Sequence, residues 1–150
     1  MPGYWNDKEK TAEAIDTAGW IASGDIATLD EHGYCRIVGR IKDMLIRGGE
    51  NIFPVEIESF IMGHPKVQDV GVIGLPDERL VEIVAAIIQP KPNQTLTEED
   101  VAEFCDGLPR YKRPRKIIFG AVPRSPTGKI EKPKLRKAYT GITEKIRQPE

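Results

Sequence analysis

The chain has 150 residues, a net charge of −1, 39% apolar and 30% charged residues, and two cysteines. That length favours one domain, or one small domain with a piece of another. Its longest apolar run, Ile83 to Ile88, falls far short of the ~20 residues that cross a bilayer. Met1 to Lys10 is polar and lacks the apolar core of a secretion signal. Cys35 and Cys105 are too far apart for a zinc cluster or a disulfide framework. His32 and His64 sit in turn-like contexts without ligand-spaced partners, so no metal site and a cytoplasmic location are the default expectations.

In chain order, Trp20 to Leu29 reads as a strand, Asp30-Glu31-His32-Gly33 as a turn and Tyr34 to Val38 as its returning partner. A second, smaller hairpin is suggested by Met44 to Arg47 and Asn51 to Phe53 flanking Gly48-Gly49-Glu50. Pro54 suits the first position of a helix, and Ile57, Phe60 and Ile61 share one face of it. Gly63-His64-Pro65 ends that helix. Val67 to Leu75 and Glu82 to Gln89 are short and rich in β-branched residues, as strands are.

Pro90 to Gln94 is a loop. Thr97-Glu98-Glu99-Asp100 resembles a capping signal, and Val101, Phe104, Cys105 and Leu108 form an apolar stripe, which places Cys105 in the core. Lys116 to Phe119 is a last strand, and Pro133 opens a short helix reaching about Tyr139. The pattern predicts an α+β fold: a small three-stranded sheet with packed helices plus a β-hairpin, preceded by another hairpin.

Charge is unevenly placed. Arg110 to Lys137 carries eleven Lys or Arg and a single acid, Glu131, while the remainder is strongly acidic. A basic block of this kind fits a polyanion such as nucleic acid, an anionic membrane or a phosphate-rich small molecule. Tyr111 and Phe119 are its only aromatics besides Tyr139 just beyond it, which weakens the case for base stacking.

Five short motifs occur in a fixed order. They are Gly3-Tyr4-Trp5-Asn6-Asp7 with Lys10-Thr11, Ser23-Gly24-Asp25, Gly39-Arg40, Arg47-Gly48-Gly49-Glu50-Asn51-Ile52, and Pro126-Thr127-Gly128-Lys129-Ile130. Together they resemble the carboxy-terminal part of the AMP-forming acyl-CoA synthetases, with the glycine phrase closest to fatty or aryl acid ligases. The resemblance implies that residues 1–41 end a larger amino-terminal adenylating domain and that 42–150 form a mobile carboxy-terminal domain. It also implies roles: Lys129 as the catalytic lysine, Asp25 and Arg40 at the AMP ribose, Lys42 as the hinge, and Gly48 and Gly49 facing coenzyme A. ATP/AMP and coenzyme A would be the ligands, with Mg2+ accompanying ATP but bound by the missing domain. A carboxylic acid would be the substrate. The run to Lys129 is also similar to the segment at which the family's lysine is acetylated, so a lysine acetyltransferase is a candidate partner.

The residue chemistry agrees with these roles without demanding them. Joining a carboxylate to the α-phosphate brings two anions together, and a lysine ammonium on a long stem relieves that repulsion. A carboxylate can accept both ribose hydroxyls. Read locally, however, Lys129 is an ordinary exposed lysine and Asp25 with Arg40 is a surface ion pair of little value. One departure stands out. Val81 occupies a position where the family usually has glycine, so the loop after Pro76-Asp77 is expected to be reshaped.

No Ser/Thr/Gly-rich phosphate loop and no acyl pocket can be found in the sequence, so the fragment is expected to be inactive alone. Two rival readings stay open: a free-standing basic module for nucleic acid or an acidic partner, and a domain serving chiefly as a substrate for acetylation of Lys129.

Overall fold

The structure, a computed structural model, describes residues 1–140. The chain divides into two compact units, Met1–Lys42 and Asp43–Glu150.

In the first unit, helix α1 (Lys8–Ala14) is capped by Asp7, whose Oδ1 accepts the Lys10 N–H at 2.9 Å. Sequence reading missed this helix because it buries no residue and so carries no apolar stripe. Strands β1 (Asp25–Leu29) and β2 (Cys35–Arg40) pair antiparallel, as predicted, with Asp25 opposite Arg40. Asp30 Oδ1 ties the turn by accepting the N–H groups of His32 and Tyr34, both at 2.9 Å. The strand expected from Trp20 begins only at Asp25, because Gly24 at φ +76° breaks the extended run.

A single 3-10 turn, Ile41–Asp43, carries the chain from one unit to the next. Ile41 donates its N–H to the Gly24 carbonyl at 2.9 Å, within the first unit. Asp43 pairs with Arg136 at 3.2 Å, within the second. Exposed Lys42 is the residue between these two anchorages.

The second unit contains β3 (Leu45–Arg47), β4 (Glu50–Ile52), α2 (Pro54–Ile61), β5 (Val67–Asp77), β6 (Val81–Pro90), α3 (Glu98–Phe104), β7 (Lys116–Phe119) and α4 (Lys132–Tyr139). Strand β6 is central. It runs antiparallel to β5 and parallel to β7, which gives the predicted three-stranded sheet. The β3–β4 hairpin joins the same sheet through one pairing, Arg47 with Val81, making five strands. A single long-range pairing leaves no periodic trace in the sequence.

Alternation along β6 divides the core between its two faces. Val84, Ala86 and Ile88 pack with Ile57 and Ile61 of α2 and Val101. Ala85 and Ile87 pack with Ile73, Val122 and Leu135 of α4. Thr97 and Asp100 form the predicted capping box of α3, which ends at Phe104 and tightens into a 3-10 turn over Cys105–Gly107. Val101, Cys105 and Leu108 are still buried. Burial pushes the Cys105 thiol up to about 11, so it behaves as a core residue.

Candidate functional site

Lys129 sits on a tight hairpin that joins β7 to α4. Gly128 donates its N–H to the Ser125 carbonyl at 2.8 Å, closing a turn with Pro126 at its second position. Gly128 then takes φ +80°, the left-handed step that lets the chain reverse within three residues. The Ser125 N–H returns to the Lys129 carbonyl at 2.8 Å, and Ser125 Oγ accepts the Lys129 N–H at 3.2 Å. The backbone of Lys129 is therefore held from both sides while its side chain is exposed. Arg124, across from Ile130 in this hairpin, makes two 2.6 Å bonds to the Asp69 carboxylate. The Arg124 guanidinium bonded to it holds the Asp69 carboxyl below the usual carboxylate range.

The glycine hairpin is built otherwise. Arg47 and Glu50 pair across Gly48 and Gly49, whose φ angles of +58° and +91° give the two-residue turn that matches strand twist. Gly48 donates to the Leu80 carbonyl at 2.8 Å, which seats the hairpin on the β5–β6 turn. That turn is tied by Asp77 Oδ1, which accepts the N–H groups of Arg79 and Leu80 at 3.0 and 2.9 Å. A side chain at Gly49 would meet nothing within 4 Å, so its outer side is open.

Val81 follows directly and takes φ +69°. The valine accepts a left-handed backbone that costs it roughly 1–2 kcal/mol, held there by its pairing with Arg47. Arg47 also donates to the carbonyls of Arg110 and Tyr111. Burial first, then the Arg115 and Arg110 cations, hold its guanidinium below its ordinary value.

Asp25 and Arg40 are brought together, with Arg40 Nε donating to Asp25 Oδ1 at 3.1 Å across β1 and β2. Lys42 lies on the connecting turn, and Gly48 and Gly49 lie apart from Lys129. Val81 opens β6, whereas Gln89, opposite Asp69 and so level with the lysine hairpin, lies eight residues farther along the strand. At the usual rise this is about 26 Å. The two hairpins thus mark opposite ends of one sheet.

Six of the eleven cations of the basic block pair with carboxylates, five of these acids lying outside the block. Lys112 pairs with Glu56, Arg113 with Asp106, Arg124 with Asp69, Lys132 with Glu58, Lys134 with Glu131 and Arg136 with Asp43. Sequence reading missed Arg124 and Asp69 because 55 positions separate them. Among the described residues, no helix is long and apolar enough to cross a membrane. Among the same residues no group of three or more His, Cys, Asp or Glu could hold a metal ion.

Comparison with known proteins places part of this chain in a family. Residues 56–129 match the sequence model of the AMP-binding enzyme C-terminal domain. The chain is 49% identical over 138 residues to the mitochondrial medium-chain acyl-CoA ligase ACSF2 of Macaca fascicularis, covering 91% of this chain and 22% of that protein. It is 50% identical over 144 residues to the long-chain-fatty-acid–CoA ligase FadD13 of Mycobacterium tuberculosis, covering 95% of this chain and 28% of the relative. The chain therefore spans about a quarter of the length of these relatives.

Among solved structures, ATP-bound MatB of Rhodopseudomonas palustris matches with a TM-score of 0.86 at 39% identity, covering 93% of this chain and 28% of MatB. Apo MatB, with the same coverage and 40% identity, matches at 0.70. With the sequence match running from α2 to Lys129 and the fold match covering 93% of the chain, residues 56–129 belong to the family of AMP-binding enzyme C-terminal domains.

Proposed function

We propose that this chain is the carboxy-terminal part of an ATP-dependent acyl-CoA ligase and supplies one hairpin to each of two half-reactions. In the first, a carboxylate oxygen attacks the α-phosphorus of ATP, forming acyl-AMP as the bond to pyrophosphate breaks. In the second, the thiol sulfur of coenzyme A attacks the acyl carbon and AMP leaves, the thiol proton passing to solvent.

The observation that carries this reading is the separation of the Lys129 and Gly48–Gly49 hairpins, about 26 Å along β6 at the usual strand rise. Rigid elements so far apart cannot both reach one acyl group at once. They can do so in turn if the second unit swings as a body about the connecting turn at Lys42. The anchorage of Ile41 in one unit and Asp43 in the other supports that pivot.

In the first orientation the exposed Lys129 ammonium would meet the carboxylate and α-phosphate oxygens and stabilise charge that grows in the transition state. Its backbone is already fixed, so little ordering remains at that step. Asp25, held by Arg40, would accept the ribose hydroxyls of the nucleotide. In the second orientation the open side of Gly49 would admit the pantetheine arm, with Arg47, Arg110 and Arg115 offering positive charge to the phosphates of coenzyme A. Mg2+ arriving with ATP would be bound outside this chain. Acetylation of exposed Lys129 would cancel its charge and stop the first step, which makes a lysine acetyltransferase a fitting regulator.

The nucleic-acid reading is weakened by the pairing of six cations of the basic block with carboxylates. The test is Lys129→Ala in the full-length enzyme. Acyl-AMP formation, followed by pyrophosphate exchange, should be lost, while thioester formation from supplied acyl-AMP continues. Equal loss in both would contradict the assignment.

A further inference from the structure

We infer that Arg124 is a positioning residue for Lys129, acting with Asp69 to hold the lysine hairpin at the end of the sheet. The inference rests on the functional reading above and adds a residue to it. One guanidinium joins three pieces of chain. Its backbone forms one arm of the hairpin, facing Ile130. Its Nε and Nη2 donate to Asp69 Oδ2 and Oδ1, both at 2.6 Å, which ties the arm to β5. Its Nη1 donates to the carbonyl of Gly128, the residue immediately before Lys129. Asp69 is itself set in place, because its Oδ1 also accepts the Val70 N–H at 2.9 Å.

A second tie lies beyond the lysine. Lys132 pairs with Glu58 at 3.0 Å, both side chains about nine-tenths buried, and Glu58 Oε1 accepts the Val72 N–H at 2.8 Å. Both acids thus fasten to β5, a strand locked along its length to β6. The hairpin is clamped before and after Lys129, whose side chain is exposed. The Lys132 tie is buried and serves the core, whereas the Arg124 tie is half open, with Arg124 43% and Asp69 16% exposed. Solvent screens the open side of such a pair, which limits what it contributes to stability. The fork of Arg124 is therefore better explained by geometry: displacing a reactive group by about 1 Å can cost on the order of a hundredfold in rate.

The experiment measures both half-reactions in the full-length enzyme for Arg124→Gln, Arg124→Lys, Asp69→Asn and, as reference, Lys129→Ala. Arg124→Gln should lower kcat for acyl-AMP formation by roughly 30- to 100-fold at nearly constant KM for ATP. Thioester formation from supplied acyl-AMP should stay within about twofold, because the glycine hairpin is untouched. Arg124→Lys keeps the charge but loses the fork, so it should fall between wild type and Arg124→Gln. Asp69→Asn should follow Arg124→Gln in direction.

Equal losses in both half-reactions would overturn the inference, since they would mark a general weakening of the fold. Acyl-AMP formation within twofold of wild type in Arg124→Gln would overturn it as well. If Lys129→Ala itself leaves acyl-AMP formation intact, the functional reading falls and the inference with it. Failure of Arg124→Gln beside an inactive Lys129→Ala removes the inference alone.

Discussion

The two hairpins of the second unit solve the same mechanical problem by different means. The lysine hairpin is braced by side-chain charge: Arg124 to Asp69 before the turn and Lys132 to Glu58 after it. The glycine hairpin is seated mainly through backbone, by the Arg47–Val81 pairing and the Gly48 N–H on the Leu80 carbonyl, with the Arg47 guanidinium on the Arg110 and Tyr111 carbonyls and the Glu82 carboxylate on the Ile46 N–H beside them. The first presents a single cation and can use charged groups around it as struts. The second presents bare backbone and an open side at Gly49, so its supports are kept to the other side. Strain appears only at the second, where Val81 holds φ +69° to complete the seat.

If this division is right, damage to the two hairpins should cross over. The largest effect belongs to Lys129→Ala, which should slow acyl-AMP formation by about three orders of magnitude, the scale of losing a positioned electrostatic group. Pyrophosphate exchange reads it. Gly49→Leu comes next: a branched side chain at φ +91° fills the open side of the turn. It should slow thioester formation from supplied acyl-AMP by roughly a hundredfold and leave pyrophosphate exchange nearly unchanged. Unaltered thioester formation in that variant would show that the glycine turn faces no ligand.

Val81→Gly sharpens the contrast in stability. Relief of the left-handed strain should raise the unfolding free energy by about 1 kcal/mol, read from the denaturant midpoint at constant slope. A loss of stability would mean that the valine side chain contributes packing that outweighs its backbone strain. The smallest effect concerns pH. Because the folded-state pKa of Asp69 is depressed by Arg124, its contribution is fully present above the unfolded carboxylate value of about 4. It is lost as pH falls through the folded value. Acid unfolding of Asp69→Asn should therefore be less steep below about pH 4, as measured by circular dichroism. An unchanged acid profile would show that this ion pair does not respond to folding.

Much of this fold was legible because its core elements are periodic. Pro54 at the head of α2, the β-branched run of β6 and the capping box at Thr97 each carry a local signal, and each is realised. Helix α1 was not legible, since it buries nothing and packs no face. The seating of the glycine hairpin on the β5–β6 turn escaped notice because one pairing between Arg47 and Val81 leaves no pattern.

The motif residues themselves were readable, but their supports were not. Lys129 announces itself in Pro126-Thr127-Gly128-Lys129, whereas Asp69 looks like any strand-edge acid until the fold brings Arg124 to it. The eleven cations of the block suggested a polyanion surface. Folding pairs six of them with acids, two of which, Glu56 and Glu58, come from α2. Val81 shows the opposite limit: a steric rule correctly identified a disfavoured conformation, and the tertiary pairing imposed it regardless.

The most direct measurement is a paired assay of both half-reactions on Lys129→Ala and Gly49→Leu in the full-length enzyme. Crossed losses, with acyl-AMP formation failing only in the first variant and thioester formation only in the second, are the result predicted here. Parallel losses in both variants would contradict the assignment of the two ends of the sheet to separate steps.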